Sequence, residues 1–240
     1  MNKITKFAFG TAVALVIAAP NISFANPTRD EQSREVSGFS KVKLMNSIDA
    51  DVTVGKEASV TVIAPDNLMD KVITEVDGDT LKIRYEKHMK WDRDWNNKEV
   101  RVVITMPNLE AAGVYGSGDI NVTGGKGKDL GLSVKGSGDI KVMGADYKSV
   151  DITLMGSGDI NIDGECDHAS VSVMGSGDVS AGDLKCKDVE AHVKGSGDVE
   201  VYASTSVEAS IYGSGDISVL GNPKNVDKSE HGSGDIHIRH

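Results

Sequence analysis

Seven copies of Gly-Ser-Gly-Asp begin at Gly116, Gly136, Gly156, Gly175, Gly195, Gly213 and Gly232. Successive copies are offset by 20, 20, 19, 20, 18 and 19. A period in this range marks a solenoid, in which each repeat buries its apolar side only by stacking on its neighbours. Leucine-rich repeats have a similar length but need a Leu-x-x-Leu-x-Leu frame, which is absent, and propeller blades need about twice the length. Helices are excluded by the glycine content and by a strict alternation of period two.

That alternation surrounds every copy. The residue after each Asp is Ile120, Ile140, Ile160, Val179, Val199, Ile217 or Ile236, and two further on stand Val122, Val142, Ile162, Ala181, Val201, Val219 and Ile238. Two residues before each tetrapeptide stand Val114, Val134, Leu154, Val173, Val193, Ile211 and then Glu230. Residues between these columns are polar or mixed, so each strand turns one face inward. A rung therefore reads as strand, GSG corner, strand and a looser turn. The expected fold is all-β: a right-handed parallel β-helix, or β-solenoid, with rungs of about 20 residues over 109–240. Lys228 and Glu230 break the apolar pattern in the last rung, as a capping repeat requires.

Cys166 and Cys186 are one repeat apart, a separation of 20, and each stands at the same distance before the Asp of the next copy. Stacked rungs rise about 4.8 Å, inside the Cα separation that a disulfide accepts, so a Cys166–Cys186 bond is expected. The bond suits an oxidising compartment. Residues 1–25 point the same way: Lys3 and Lys6 precede a short apolar run and then small residues, the pattern of a secretory leader. Removing it, with its two lysines and no acid, shifts the formal charge from −10 to −12. The chain is expected to be exported, to the periplasm or the exterior, with no transmembrane anchor. Its acidity argues against nucleic acid as a partner.

Residues 26–35 are polar and are expected to be loose. The region 36–108 has a different texture and is read as a β-rich module that covers or irregularly begins the solenoid. Candidate strands lie at 39–45, 51–55, 59–64 and 99–106, a helical turn at 67–72, and a hairpin pairs 73–76 with 80–85 across Asp77-Gly78.

The stretch SGFSKVKLMNSIDADVTVGKEASVTVIAPDNLMDKVITEVDGDTLKIRY, followed by VRVVITMPNL and repeated GSGD, resembles the head GIN domain family of auto-transporter adhesin heads. The similarity runs through nearly all of 36–240. It implies an exported β-helical protein with no established catalysis.

The tetrapeptide itself admits two readings. In the first it is a repeated tight corner, with glycine where a Cβ would obstruct and with Ser and Asp bonding turn amides. Stacking then makes a ladder of Asp119, Asp139, Asp159, Asp178, Asp198, Asp216 and Asp235. In the second that ladder binds Ca²⁺, although one carboxylate and one hydroxyl per rung fall short of the 6–8 oxygens the ion wants. No catalytic residue is assigned. An enzyme acting on envelope polysaccharide would need clustered carboxylates with a Lys or Arg base on long loops, and no Arg occurs between Arg101 and Arg239. His192 falls at an outward position, and His231, Asp235 and His237 share the last rung as a possible metal set.

Two features suit a partner. Trp91 and Trp95 sit in the charged segment EKHMKWDRDWNNKE, and exposed Trp is favoured at recognition hot spots. An outward column four residues before each Asp reads Tyr115, Lys135, Met155, Met174, Lys194, Tyr212 and His231. The expected ligand residues are Trp91, Trp95, Tyr115 and Tyr212, and the expected partner is an envelope protein or glycan. The oligomeric state is left open, as are an enzymatic and a Ca²⁺-stabilised alternative.

Overall fold

The structure is a computed structural model that describes residues 29–55, 57–87 and 100–239. The leader and both tryptophans lie outside the described residues. Among the described residues, seventeen strands form a single continuous sheet wound into a solenoid, and one helical turn joins two of them. In chain order they are β1 (Asp30–Ser33), β2 (Lys41–Asn46), β3 (Asp49–Val54), β4 (Ser59–Ala64), α1 (Asp66–Met69), β5 (Val72–Asp77), β6 (Thr80–Tyr85), β7 (Arg101–Met106), β8 (Ala111–Gly116) and β9 (Ile120–Thr123). Then follow β10 (Lys126–Gly136), β11 (Ile140–Gly156), β12 (Ile160–Gly175), β13 (Val179–Gly195), β14 (Val199–Gly213), β15 (Ile217–Leu220), β16 (Asn225–Gly232) and β17 (Ile236–Arg239).

From β8 onward every rung pairs with the next in parallel, with equivalent residues opposite one another: Val134 with Leu154, Leu154 with Val173, Val173 with Val193 and Val193 with Ile211. The columns read from the sequence are the core. Ile120, Ile140, Ile160 and Ile217 are wholly buried, as are Val114, Val134, Leu154 and Val173. Each such side chain removed from water contributes roughly 1.5–3 kcal/mol. Rung length varies without disturbing these columns because the slack is taken up at the looser turn. Register slips fall between Val142 and Ala145, between Asn161 and Asp163, and around Ala181–Lys185, while the GSGD corners stay aligned.

The region before the repeats is more than a cover. β2 and β3 pair in parallel with β8 and β9 and so form a rung of the solenoid themselves. The partners are far apart along the chain, with the same offset of 70 that separates Asp49 from Asp119. β6 and β7 pair in parallel with the other edges of β2 and β3 and form a further rung. The first-made rung is thus inserted between two later ones. Antiparallel strands close this end: β5 lies on β6, β4 on β7, and β1 on β4. Within the segment 26–35 that the sequence reads as loose, Asp30–Ser33 forms an edge strand. Its four side chains are all exposed, so polarity was no obstacle; the backbone ladder to β4 is what orders it. Arg34 fastens the strand's end by donating from Nη2 to the Met69 carbonyl at 3.0 Å.

The opposite end is closed by charge. Lys228 and Glu230 stand in register with Ala209 and Ile211 of the rung below. Lys228 Nζ donates to the Ile236 carbonyl at 2.7 Å, and Glu230 accepts from the Ile236 amide at 3.0 Å. The two side chains tie β16 to β17 across the mouth of the core.

One internal packing detail lies at the looser turn of the first repeats. Tyr147 is buried, and its hydroxyl donates to the Leu109 carbonyl at 2.9 Å. Its ring occupies the space left by two glycines of the preceding rung: a Cβ on Gly125 would lie 2.5 Å from the Tyr147 hydroxyl, and one on Gly127 would lie 3.0 Å from the ring. Burial pushes the phenol up to about 12.

Candidate functional site

The corners explain their own sequence. Gly136 has φ 141°, and a Cβ there would sit 2.1 Å from the carbonyl oxygen of Gly116 one rung earlier. A Cβ on Gly138 would sit 2.0 Å from the Gly118 oxygen. Any side chain at these two positions would force adjacent rungs apart. The close approach is used for hydrogen bonding: Ser137 N–H donates to the Gly116 carbonyl at 2.9 Å, and Ile120 N–H to the Asp139 carbonyl at 2.9 Å.

The aspartates bond between rungs rather than within a turn. The amide of Asp139 donates to Asp119 Oδ1 at 2.9 Å, that of Asp159 to Asp139 at 2.8 Å, and that of Asp178 to Asp159 at 3.0 Å. The pattern continues through Asp198, Asp216 and Asp235. Each carboxylate below the last thus accepts the amide of the rung above, which offsets the repulsion between neighbouring charges. Sequence reasoning missed the ladder's first member. Asp119 N–H donates to Asp49 Oδ1 at 3.0 Å, so Asn46-Ser47-Ile48-Asp49 is a degenerate corner. The signal was a Ser two residues before an Asp, as within the tetrapeptide, at Ser47 and Asp49. Beside it, Arg101 reaches Asp51 at 2.7 Å and Asp49 at 3.8 Å, which places a cation at the foot of the ladder.

His231, Asp235 and His237 do not form a metal set. His231 stacks on Tyr212 with ring centroids 4.9 Å apart and faces Ser229, while His192 Nδ1 pairs with Ser210 Oγ at 2.6 Å. Among the described residues no group of three or more His, Cys, Asp or Glu could hold a metal ion.

At the looser edge, Cys166 and Cys186 form a disulfide with Cα atoms 4.5 Å apart, as the repeat spacing requires. Charges of opposite sign alternate around it from rung to rung. Lys126 meets Asp146 at 2.5 Å and Lys187 meets Asp167 at 2.7 Å. The hydrogen bond from Lys187 holds the Asp167 carboxyl below its usual range and raises the ammonium's own.

The strands leading into the corners present a flat outer face. Its most prominent column runs Tyr115, Lys135, Met155, Met174, Lys194, Tyr212 and His231, each residue directly opposite the next. At about 4.8 Å per rung the column is about 29 Å long. Met155, Met174 and Tyr212 are 36%, 37% and 57% exposed, large apolar groups that the fold leaves in water. The neighbouring outward column is small and mostly hydroxylic: Gly113, Ser133, Thr153, Ser172, His192, Ser210 and Ser229. Lys43 lies 3.8 Å from the centroid of the Tyr115 ring, and Lys135 lies 5.4 Å from it. Further along the same strands an open groove of about 690 Å³ crosses the last rungs, lined by His168, Asp188, Glu190, Glu208 and Asp227 among others. Tyr115 and Tyr212 therefore share one face, near its two ends.

A family described as "Putative auto-transporter adhesin, head GIN domain" matches residues 38–223. No curated protein matches the chain. Among solved structures, "a putative adhesin" from Bacteroides fragilis is 25% identical with a TM-score of 0.83, covering 89% of this chain and 98% of its own. A "Putative lipid binding protein" from Parabacteroides distasonis is 26% identical with a TM-score of 0.69, covering 90% of this chain and 98% of its own. "A putative adhesin" from Parabacteroides merdae, 17% identical at a TM-score of 0.67 over 90% of this chain and 98% of its own, shares the fold.

Proposed function

The chain belongs to the head GIN domain family, and from that premise we propose that it is an exported, non-enzymatic module of the cell envelope that recognises a protein or a glycan in an adhesin-like manner. The observation that carries the reading is the column from Tyr115 to His231, about 29 Å long, in which Met155, Met174 and Tyr212 stand exposed and in register. Exposed, ordered apolar groups on a rigid sheet suit recognition by surface matching rather than by enclosure. The basic, apolar leader and the disulfide support export. Trp91 and Trp95 are proposed as further contacts.

The Asp ladder is read as structural. Its carboxylates accept amide donors along the stack, so the corner's repetition has a purpose without an ion. The test is a binding screen of the mature chain against envelope glycans and envelope proteins, with and without Ca²⁺. Binding that weakens on Tyr115→Ala, Tyr212→Ala or Trp91→Ala/Trp95→Ala supports the reading. Turnover of an acidic glycan, or binding that appears only with Ca²⁺, overturns it.

A further inference from the structure

Several lysines of this chain reach a carboxylate, as Lys41, Lys71, Lys126 and Lys187 do. Lys43 and Lys135 instead converge on one aromatic ring. They come from the rungs on either side of Tyr115 and lie 3.8 and 5.4 Å from its centroid, with no carboxylate within ion-pair distance among the described residues. The ring is held against the sheet by Gly113, since a Cβ there would sit 3.0 Å from a ring carbon. Two cations thus lie around one phenol ring in a chain whose net charge is −10, and the ring's negative face offsets part of their repulsion.

We propose that Lys43, Tyr115 and Lys135 form a binding site for the carboxylate-bearing sugar of an acidic polysaccharide. This deepens the binding-module reading above and rests on it. The two ammonium groups supply the charge, the pinned ring supplies a rigid contact, and the hydroxyls of Ser133, Thr153 and Ser172 lie alongside to meet sugar hydroxyls. Two other occupants fit less well. An extended peptide would add to a free strand edge, but the strands here are paired on both sides. An anionic membrane is held by clusters of about 4–8 basic residues, and two in an acidic chain do not make one.

The probe is tetra-galacturonate, titrated calorimetrically against the mature chain beside its methyl ester, a poly-glutamate peptide and phosphatidylglycerol vesicles. The acid tetramer is expected to bind, more weakly as salt rises, and the ester is expected not to. Lys43→Gln/Lys135→Gln and Tyr115→Ala should each weaken binding about tenfold or more, and Lys224→Gln should leave it unchanged. Melting temperatures within a few degrees of wild type establish that the variants fold. Equal binding of acid and ester, preference for peptide or vesicles, or unaltered binding by Lys43→Gln/Lys135→Gln overturns the proposal. If another envelope ligand still binds those variants, only this site falls; if the wild-type chain binds no glycan or envelope protein at all, the broader reading falls with it.

Discussion

Removing one aspartate from the middle of the corner ladder tests whether the rungs are tied by carboxylate and amide or merely tolerate a row of charges. Asp159 accepts the Asp178 amide at 3.0 Å, and its own amide donates to Asp139 at 2.8 Å. Its carboxylate also faces two like charges about one rung away. At about 4.8 Å in water each repels by about 0.9 kcal/mol, and screening with a Debye length of about 8 Å reduces that to roughly 0.5, or about 1 kcal/mol for both. A hydrogen bond to a charged group contributes about 2 kcal/mol and a neutral one about 1. Asp159→Asn keeps an acceptor, loses about 1 kcal/mol of bond strength and is relieved of about 1 kcal/mol of repulsion, so its stability should stay near wild type. Asp159→Ala loses the whole bond and should be less stable by about 1 kcal/mol, a fall of about 2–4 °C in Tm. Asp235 ends the ladder, and among the described residues no amide donates to its carboxylate, so Asp235→Ala should be neutral or stabilising by about 0.5 kcal/mol. Thermal melts of the three variants at low and high salt decide the matter. Equal losses for Asn and Ala at 159, or a larger loss at 235 than at 159, would refute the inter-rung bond as the reason for the aspartate.

Gly138→Ala brings a Cβ to 2.0 Å from the Gly118 oxygen and should cost more than about 3 kcal/mol or abolish folding, whereas Ser137→Ala, at an exposed position, should melt within a degree or two of wild type. Reducing Cys166–Cys186 opens a loop of about 20 residues and should lower stability by about 3 kcal/mol, read as a drop in Tm with reductant that the Cys166→Ala/Cys186→Ala variant no longer shows. The buried Tyr147 phenol is raised from its ordinary value near 10 to about 12, so its stabilising effect is complete below about pH 10 and is lost as pH rises through about 12; denaturant melts should show this loss, and Tyr147→Phe should remove it. Lys228→Leu/Glu230→Leu replaces the charged closure with apolar side chains and should cause concentration-dependent association on size-exclusion chromatography.

The repeat half of this fold was legible because burial enforces it. A column such as Val134–Leu154–Val173 can face inward only at period two, and a corner with 2.0 Å of room admits only glycine at Gly138. The cysteine pair was legible because its spacing equals one rung. The N-terminal strands were legible singly but not in their order. β2 meets β8 only after several other strands have intervened, and no local pattern announces a parallel pairing at that distance. β1 escaped because its order comes mainly from backbone pairing with β4, which side-chain pattern does not reveal. The Asp ladder's donors were misplaced for a related reason: turn chemistry suggests a bond within the turn, and stacking supplies a better-placed amide from the next rung. On the candidate face, the Tyr115 column was visible as alternation, but the convergence of Lys43 on Tyr115 depends on a rung that sequence spacing did not reveal.

The interleaved rung has a consequence for how the chain acquires its shape during synthesis. β2 and β3 leave the ribosome early but remain unpartnered on one side until Thr123 has emerged, because β8 and β9 complete their pairing. Closing so long a loop is entropically slow, and it precedes the quick, local additions of about 20 residues each. Once that knot of early strands is tied, every later coil finds its template already waiting, so the tempo of maturation is set near the amino terminus and the remainder follows like thread onto a spool.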